Sequence, residues 1–189
     1  MFARTDRLLL RPGWAEDAPA LAAAIGDPAI LRNLATAPCP YALADAKAFL
    51  AAERSAQEAA ALIFRRTHGA PQLAGCVGIG RRPDGSRELG YWIARPFWGL
   101  GFATEAAAAM LAHARDGLRL ERIEAGHFLD NPASGRVLAK LGFRPTGEIA
   151  PRYSVGRGEA APCRSFTLEL RRPARALRLV TTQEEALAA

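Results

Sequence analysis

The first apolar run, Leu8 to Leu10 inside "RLLLRP", is short and ends at a proline, which predicts a strand over Arg7 to Pro12. The spacing then becomes helical. "WAEDAPALAAAIG" predicts a helix from Trp14 that stops at Gly26, and a second helix follows over Leu43 to Ala60, after the proline-broken "TAPCPY". These two helices are placed to flank a substrate opening. "ALIFRR" and "LAGCVGIGR" predict adjacent strands joined by the turn-rich "THGAPQ". "RPDGS" carries the hairpin pair Asp84-Gly85 and leads into a strand from Glu88 to Ala94, so the sheet to this point is antiparallel. Good helix formers fill Ala103 to Leu118, and Arg122 to Phe128 reads as the next strand. Strand, helix and strand make a right-handed parallel crossover. In "NPASGRVLAKLGF" Asn131 suits a helix N-cap, Pro132 the first helical position and Gly142 the left-handed residue just past the end. Strands near Phe143 to Ile149 and Cys163 to Arg171 close an α/β fold of one domain, residues 1–172, before a tail over 173–189 whose structure is not predicted. No internal repeat is present.

Composition narrows the class. The chain has 189 residues, half of them hydrophobic and 23% charged, which suits a single globular domain. "MFARTDRLLLRP" is interrupted by charge too early for a signal peptide, and no run is long enough for a membrane span, so a cytoplasmic protein is expected. Cys39, Cys76 and Cys163 form no Cys-x-x-Cys pair and read as reduced thiols, with neither a disulfide framework nor a metal site. The formal charge is +6, with only Lys47 and Lys140 as lysines and arginines scattered from Arg4 to Arg178. That scatter makes no stripe for a polyanion, so no direct nucleic-acid partner is expected.

The chemistry gathers at "RPFWGLGFATEAAAAML", residues 95–111. Gly99 and Gly101 lie between a strand and a helix start, where unpaired N–H groups and the helix dipole favour an anion and the missing Cβ atoms let it come close. A P-loop would need a Gly-Lys-Ser/Thr ending, which is lacking. A dinucleotide fingerprint would need Gly or Ala where Thr104 stands and a shorter link after Ala94; Glu121 has that motif's acidic spacing, but the repeated strand-helix units are absent. The plain alternative is a glycine-rich helix start with no ligand.

The chain resembles the GNAT acyl-CoA N-acyltransferases, and more closely the branch containing the bacterial ribosomal-protein N-terminal acetyltransferases. The matching words are "RTDRLLLRP", "ELGYWIARPFWGLGFATEAAAAML" and "NPASGRVLAKLGFRPTGE", which together span roughly residues 4–170. The resemblance implies a mixed, mostly antiparallel sheet of about six to seven strands flanked by helices, with two parallel strands splayed at the cofactor. It implies acetyl-CoA as acyl donor. The N–H groups of Gly99, Leu100, Gly101, Phe102, Ala103 and Thr104, after Trp98, would hold the pyrophosphate; Tyr91, Trp92 and Ile93 would pair through their backbone with the pantetheine arm. Asn131 matches a cofactor-contacting position and Ser134 one near the thioester sulfur.

Two departures stand out. Trp98 replaces the Gln or Arg with which the family's loop often starts, as is common in this branch, and Leu138 stands where many relatives carry a tyrosine acid. Ser134, or a water it orders, is the nearest substitute. An amine must be neutral to attack: at pH 7 a protein α-amine is roughly a tenth neutral, a lysine amine only about one part in a few thousand. Glu88, at the start of the strand leading to the loop, is the leading base; His127 is the alternative, and each also reads as a plain strand residue. Glu105 reads as a first-turn acid stabilised by the helix dipole, Cys76 as core, and Phe97 and Trp98 as packing over the loop. The expected activity is direct transfer from acetyl-CoA to a primary amine, with a protein N-terminus as acceptor. A small amine (antibiotic, polyamine or amino acid), a low-turnover CoA-sensing or ribosome-binding module, and a homodimer through exposed sheet edges all stay open.

Overall fold

The computed structural model describes residues 1–170. The predicted tail over 173–189, and Arg171 at the end of the last predicted strand, lie outside the described residues. One mixed sheet of eight strands forms the centre, in the order β1-β2-β3-β4-β5-β6-β8-β7. The strands are β1 (Ala3–Arg4), β2 (Leu8–Arg11), β3 (Ala59–Arg65), β4 (Gln72–Arg81), β5 (Arg87–Ile93), β6 (Arg122–Phe128), β7 (Arg144–Ser154) and β8 (Glu159–Glu169). The helices are α1 (Ala18–Ile25), α2 (Pro28–Leu31), α3 (Leu43–Ala51), α4 (Phe102–Asp116) and α5 (Pro132–Lys140). Each neighbouring pair is antiparallel except β5 and β6.

The apolar run of β3 explains the layering. Ala61 and Ile63 face a core shared with Val77, Ile79, Leu89, Ile93 and, from α4, Phe102, Ala106 and Met110. Leu62 and Phe64 face the other way, against Ala18 and Leu21 of α1, Ala46 of α3 and Cys76. A strand covered on both faces has no polar side, hence the unbroken "ALIF". By the same alternation Leu89, Tyr91 and Ile93 of β5 lie on the α4 face, while Glu88 and Trp92 lie on the α1 face, where Trp92 packs with Ile25 and Leu31.

Several boundaries differ from the expectations. The second helix ends at Ala51, and Ala59 and Ala60, predicted as helix, pair with Ile79 and Gly78 in the sheet. Sheet pairing outweighs alanine's helix propensity there. The two-residue β1 and the four-residue α2, capped by Asp27 Oδ1 accepting from the Ala29 amide at 2.8 Å, carry too few residues to show a period. The last two strands run to Ser154 and start at Glu159, far beyond the predicted ends, because Ile149 to Ser154 pair without a break with Arg164 to Glu159. The final strand inserts between β6 and β7, giving eight strands.

Candidate functional site

β4 and β5 share seven register pairs, whereas the parallel β5 and β6 share one, Glu88 with Glu124. Past that point the two strands have no register partners in each other, and the sheet opens at its middle. β5 runs on from this opening into residues 95–101. A 3-10 turn (Arg95–Phe97) leads to Gly99 at φ +76° and Gly101 at φ +80°, both left-handed, and α4 starts directly afterwards. Gly101 has no side chain to cap the helix, and the first turn closes with the Glu105 amide on the Gly101 carbonyl at 3.1 Å. The amides of Phe102, Ala103 and Thr104 therefore lack an intrahelical acceptor and point ahead of a fifteen-residue helix. A Cβ on Gly99 would meet nothing within 4 Å. Free donors, a helix dipole and open space before it fit a diphosphate. Phe97 stacks on Phe102 with centroids 5.9 Å apart, and the Trp98 indole N–H donates to the Ile93 carbonyl at 2.6 Å. That bond ties the loop back to β5 while leaving Trp98 46% exposed.

Arg7, which drew no role of its own from the sequence, braces this loop. Its NH1 donates to the Leu100 carbonyl at 2.8 Å, and its Nε donates to Glu105 Oε2 at 2.7 Å. Glu105 Oε1 also accepts from the Thr5 hydroxyl at 2.6 Å and the Arg7 amide at 3.0 Å. Glu105 is thus the helix-start acid expected, with the added task of holding Arg7. Burial works to raise its carboxyl, but the Thr5 hydroxyl and the Arg7 amide and guanidinium together hold it below the ordinary range. A depressed carboxyl contributes stability above its unfolded value and loses it as pH falls through the folded one. Glu105→Gln is expected to cost about 1 kcal/mol at pH 7, with water screening the exposed Arg7 side, and to lower Tm by about 2–4 °C. Melting curves of both proteins should converge as pH drops below about 4; a constant gap would show that the loss is packing alone.

On the opposite lip Asn131 caps α5, its Oδ1 accepting from the Ser134 amide at 3.3 Å. The Ser134 hydroxyl lies 2.9 Å from the Tyr91 hydroxyl, which is also 3.1 Å from the Ser134 carbonyl. Burial pushes the Tyr91 phenol up to about 12, with the Ser134 bond acting in the other direction. Leu138 is 1% exposed, inside the main core. His127 lies beneath the first turn of α5: its Nδ1 is 2.8 Å from the Phe128 carbonyl, its ring packs on Phe166, and a Cβ on Gly135 would come within 2.7 Å of its Nε2. The two base candidates therefore occupy opposite faces of the sheet.

On the α1 face Glu88 meets Arg152 of β7 in a two-pronged pair, NH1 on Oε1 and NH2 on Oε2 at 2.8 Å. Glu88 holds the Arg152 guanidinium above its ordinary value. Arg82 NH1 lies 3.2 Å from Glu124 and 3.9 Å from Glu88, so both carboxylates at the pinch of the two strands face arginines. The turn between β7 and β8 docks on the segment that follows α2 and on Asp130. The Ser154 hydroxyl donates to the Leu34 carbonyl at 2.7 Å, the Val155 amide to the Ala35 carbonyl at 2.9 Å, and Arg157 donates to both oxygens of Asp130 at 2.8 Å. Gly156 is required in this seat, since a Cβ would lie 2.5 Å from the Leu31 carbonyl oxygen. Cys76 is in the α1-side core, where burial pushes its thiol up to about 12, as expected for a packing residue.

Among the described residues no helix is long and apolar enough to cross a membrane. A family model described as an acetyltransferase (GNAT) domain matches residues 7–144. The chain is 31% identical over 156 residues to the uncharacterized N-acetyltransferase YoaA of Bacillus subtilis (strain 168), a match covering 77% of this chain and 84% of that protein. The GNAT-family acetyltransferase from Bacillus anthracis superposes with a TM-score of 0.74 at 23% identity, over 90% of this chain and 99% of its own. RimL, a ribosomal L7/L12 alpha-N-protein acetyltransferase solved with coenzyme A, superposes with a TM-score of 0.71 at 19% identity, over 89% of this chain and 98% of its own. The chain belongs to the GNAT N-acetyltransferases and uses acetyl-CoA as its donor.

Proposed function

We propose that the protein moves the acetyl group directly from acetyl-CoA to the α-amine of a protein N-terminus. In this reading the amides from Gly99 to Thr104 hold the pyrophosphate, the open edge of β5 at Tyr91, Trp92 and Ile93 takes the pantetheine arm, Asn131 orders the start of α5, and Ser134 faces the sulfur. Acetyl-CoA supplies an acyl carbon already activated as a thioester. Glu88 is assigned to orient the amine and take its proton, directly or through water. Cys76, buried in the core with its thiol held far above neutral pH, is in no position to form an acyl-enzyme, which favours direct attack.

The observation that carries the choice of acceptor is the Glu88–Arg152 pair. Both carboxylate oxygens already accept from a guanidinium, which leaves each a second lone pair to accept from the amine, and the proton to be taken is one that an α-amine gives up readily. An α-amine, partly neutral at pH 7, needs no more, whereas a lysine amine does. The name of RimL, an alpha-N-protein acetyltransferase, points the same way. The test is thiol release from acetyl-CoA with short peptides carrying free N-termini, the same peptides with blocked N-termini and one internal lysine, and small amines. Free N-termini should react at least about tenfold faster than any other group, in line with the difference in neutral fraction. A preference for polyamines, amino acids or aminoglycosides would overturn the acceptor assignment, and no thiol release with any amine would favour a sensing role.

A further inference from the structure

The last helix of the site carries no phenol of its own facing the donor, since Leu138 belongs to the core. A phenol nevertheless reaches that helix from across the opening. Tyr91 stands three residues past the single Glu88–Glu124 register pair, on the β5 side, while Ser134 is in the first turn of α5, which follows β6. Their 2.9 Å contact thus joins β5, on its α4 face, to the helix that follows β6, beyond the one register pair the two strands share.

Building on the donor reading above, we propose that Tyr91 is a positioning residue that turns the Ser134 hydroxyl proton toward the donor's sulfur, so that Ser134 stabilises the thiolate as it leaves. A serine hydroxyl rotates freely and has one proton to give. Tyr91 has two acceptors in range, the Ser134 carbonyl at 3.1 Å and the Ser134 hydroxyl oxygen at 2.9 Å. When the phenol donates to the carbonyl, its own oxygen accepts the serine proton. When it donates to the hydroxyl oxygen, the serine proton must point elsewhere, and a negative charge developing in the opening draws it there. Each bond in such a chain polarises the next, so a serine that accepts from a phenol is a better donor than a serine alone.

The phenol keeps its proton throughout. Burial holds Tyr91 at about 12, above a thiol near 8.5, so proton transfer from tyrosine to sulfur would run uphill. The reaction balances without it. The amine, having first given its ammonium proton to Glu88 or to water, bonds through nitrogen to the acyl carbon, the carbon–sulfur bond breaks with its electron pair going to sulfur, and the second proton lost from nitrogen goes to water. Ser134 and Tyr91 end as they began, as hydrogen-bond donors.

The decisive measurement is the ionisation of the coenzyme A thiol in its complex with the protein, followed by thiolate ultraviolet absorbance, beside free coenzyme A. In the native protein the bound thiol should ionise about one pH unit lower than the free one, because donors aimed at the charged form favour it. Tyr91→Phe should lose most of that shift and Ser134→Ala all of it, while Y91F/S134A should match S134A, as expected for residues acting through one atom. Coenzyme A affinity below the ionisation range should stay within about threefold, and kcat of Y91F should fall about tenfold at unchanged KM for acetyl-CoA. A Y91F complex that titrates with the native one, or a native complex that titrates with free coenzyme A, overturns the role of Tyr91 and leaves the donor site standing. Failure of the native protein to bind coenzyme A at all overturns both.

Discussion

Gly101→Arg is expected to remove measurable acetyl-CoA binding, a rise in Kd of at least about a hundredfold or about 2.7 kcal/mol, while the protein stays folded. Gly101 is the hinge between the loop and α4, held at φ +80°, and the three free amides that follow it are aimed by that conformation. A side chain there strains the backbone by about 1–2 kcal/mol and tips those amides away from a common point. Its Cβ would also start 3.5 Å from Arg7 NH2, so the new guanidinium is placed beside an existing one and competes with Arg7 for the Leu100 carbonyl and Glu105. Gly101→Ala separates the causes: it carries the strain without the long cationic side chain, and should weaken binding by about tenfold or less. Isothermal titration with acetyl-CoA, beside circular dichroism of each variant, makes the comparison. A folded Gly101→Arg protein that binds within about threefold of the native would remove the loop from the donor site.

The parts of this site that are local in sequence could be read from it. The strand, glycine loop and helix over residues 88–116 follow one another without interruption, and Asn131, Pro132 and Gly142 mark the two ends of α5 by the chemistry of helix termini. The Asp84-Gly85 turn joins β4 to β5 as its residues require. The unread parts are those made by distant residues. Arg7 and Glu105 are 98 positions apart, Glu88 and Arg152 64, and Tyr91 and Ser134 43, and no period or turn signal links such pairs. The same holds for the order of the last strands, since apolar alternation does not say that β8 will enter between β6 and β7. Alanine is ambiguous for the same reason: residues 59–60 suit a helix in isolation and are held in β3 by partners in β4. Arg7 stands inside "RTDRLLLRP", but its task is set by Glu105 and the Leu100 carbonyl, which converge on its guanidinium from a helix and loop more than ninety positions away.

Glu88→Gln should lower kcat/KM for an N-terminal peptide by roughly a hundredfold at pH 7, the scale of a lost general base, and the deficit should shrink as pH rises toward the α-amine's own pKa. The pH dependence separates base from scaffold, because above that value solvent has already removed the proton that Glu88 would take, whereas a distorted site is distorted at every pH. Glutamine keeps the shape of Glu88 and one acceptor oxygen, but Arg152 then lacks a counter-charge in a position where Arg82 is already close to Glu124. Some stability must therefore go with the activity, about 1–3 kcal/mol for a partly buried charged hydrogen bond. Arg152→Met resolves the two effects. It breaks the same pair and leaves the carboxylate on β5 with both oxygens open, so its stability loss should resemble that of Glu88→Gln while its activity stays within about tenfold of the native protein. Acetyl-CoA affinity should change in neither variant, since Glu88 lies on the α1 face and the glycine loop at the other end of β5. Equal losses of activity in Glu88→Gln and Arg152→Met, flat with pH, would make the pair a clasp between β5 and β7 and pass the role of base to His127 or to water.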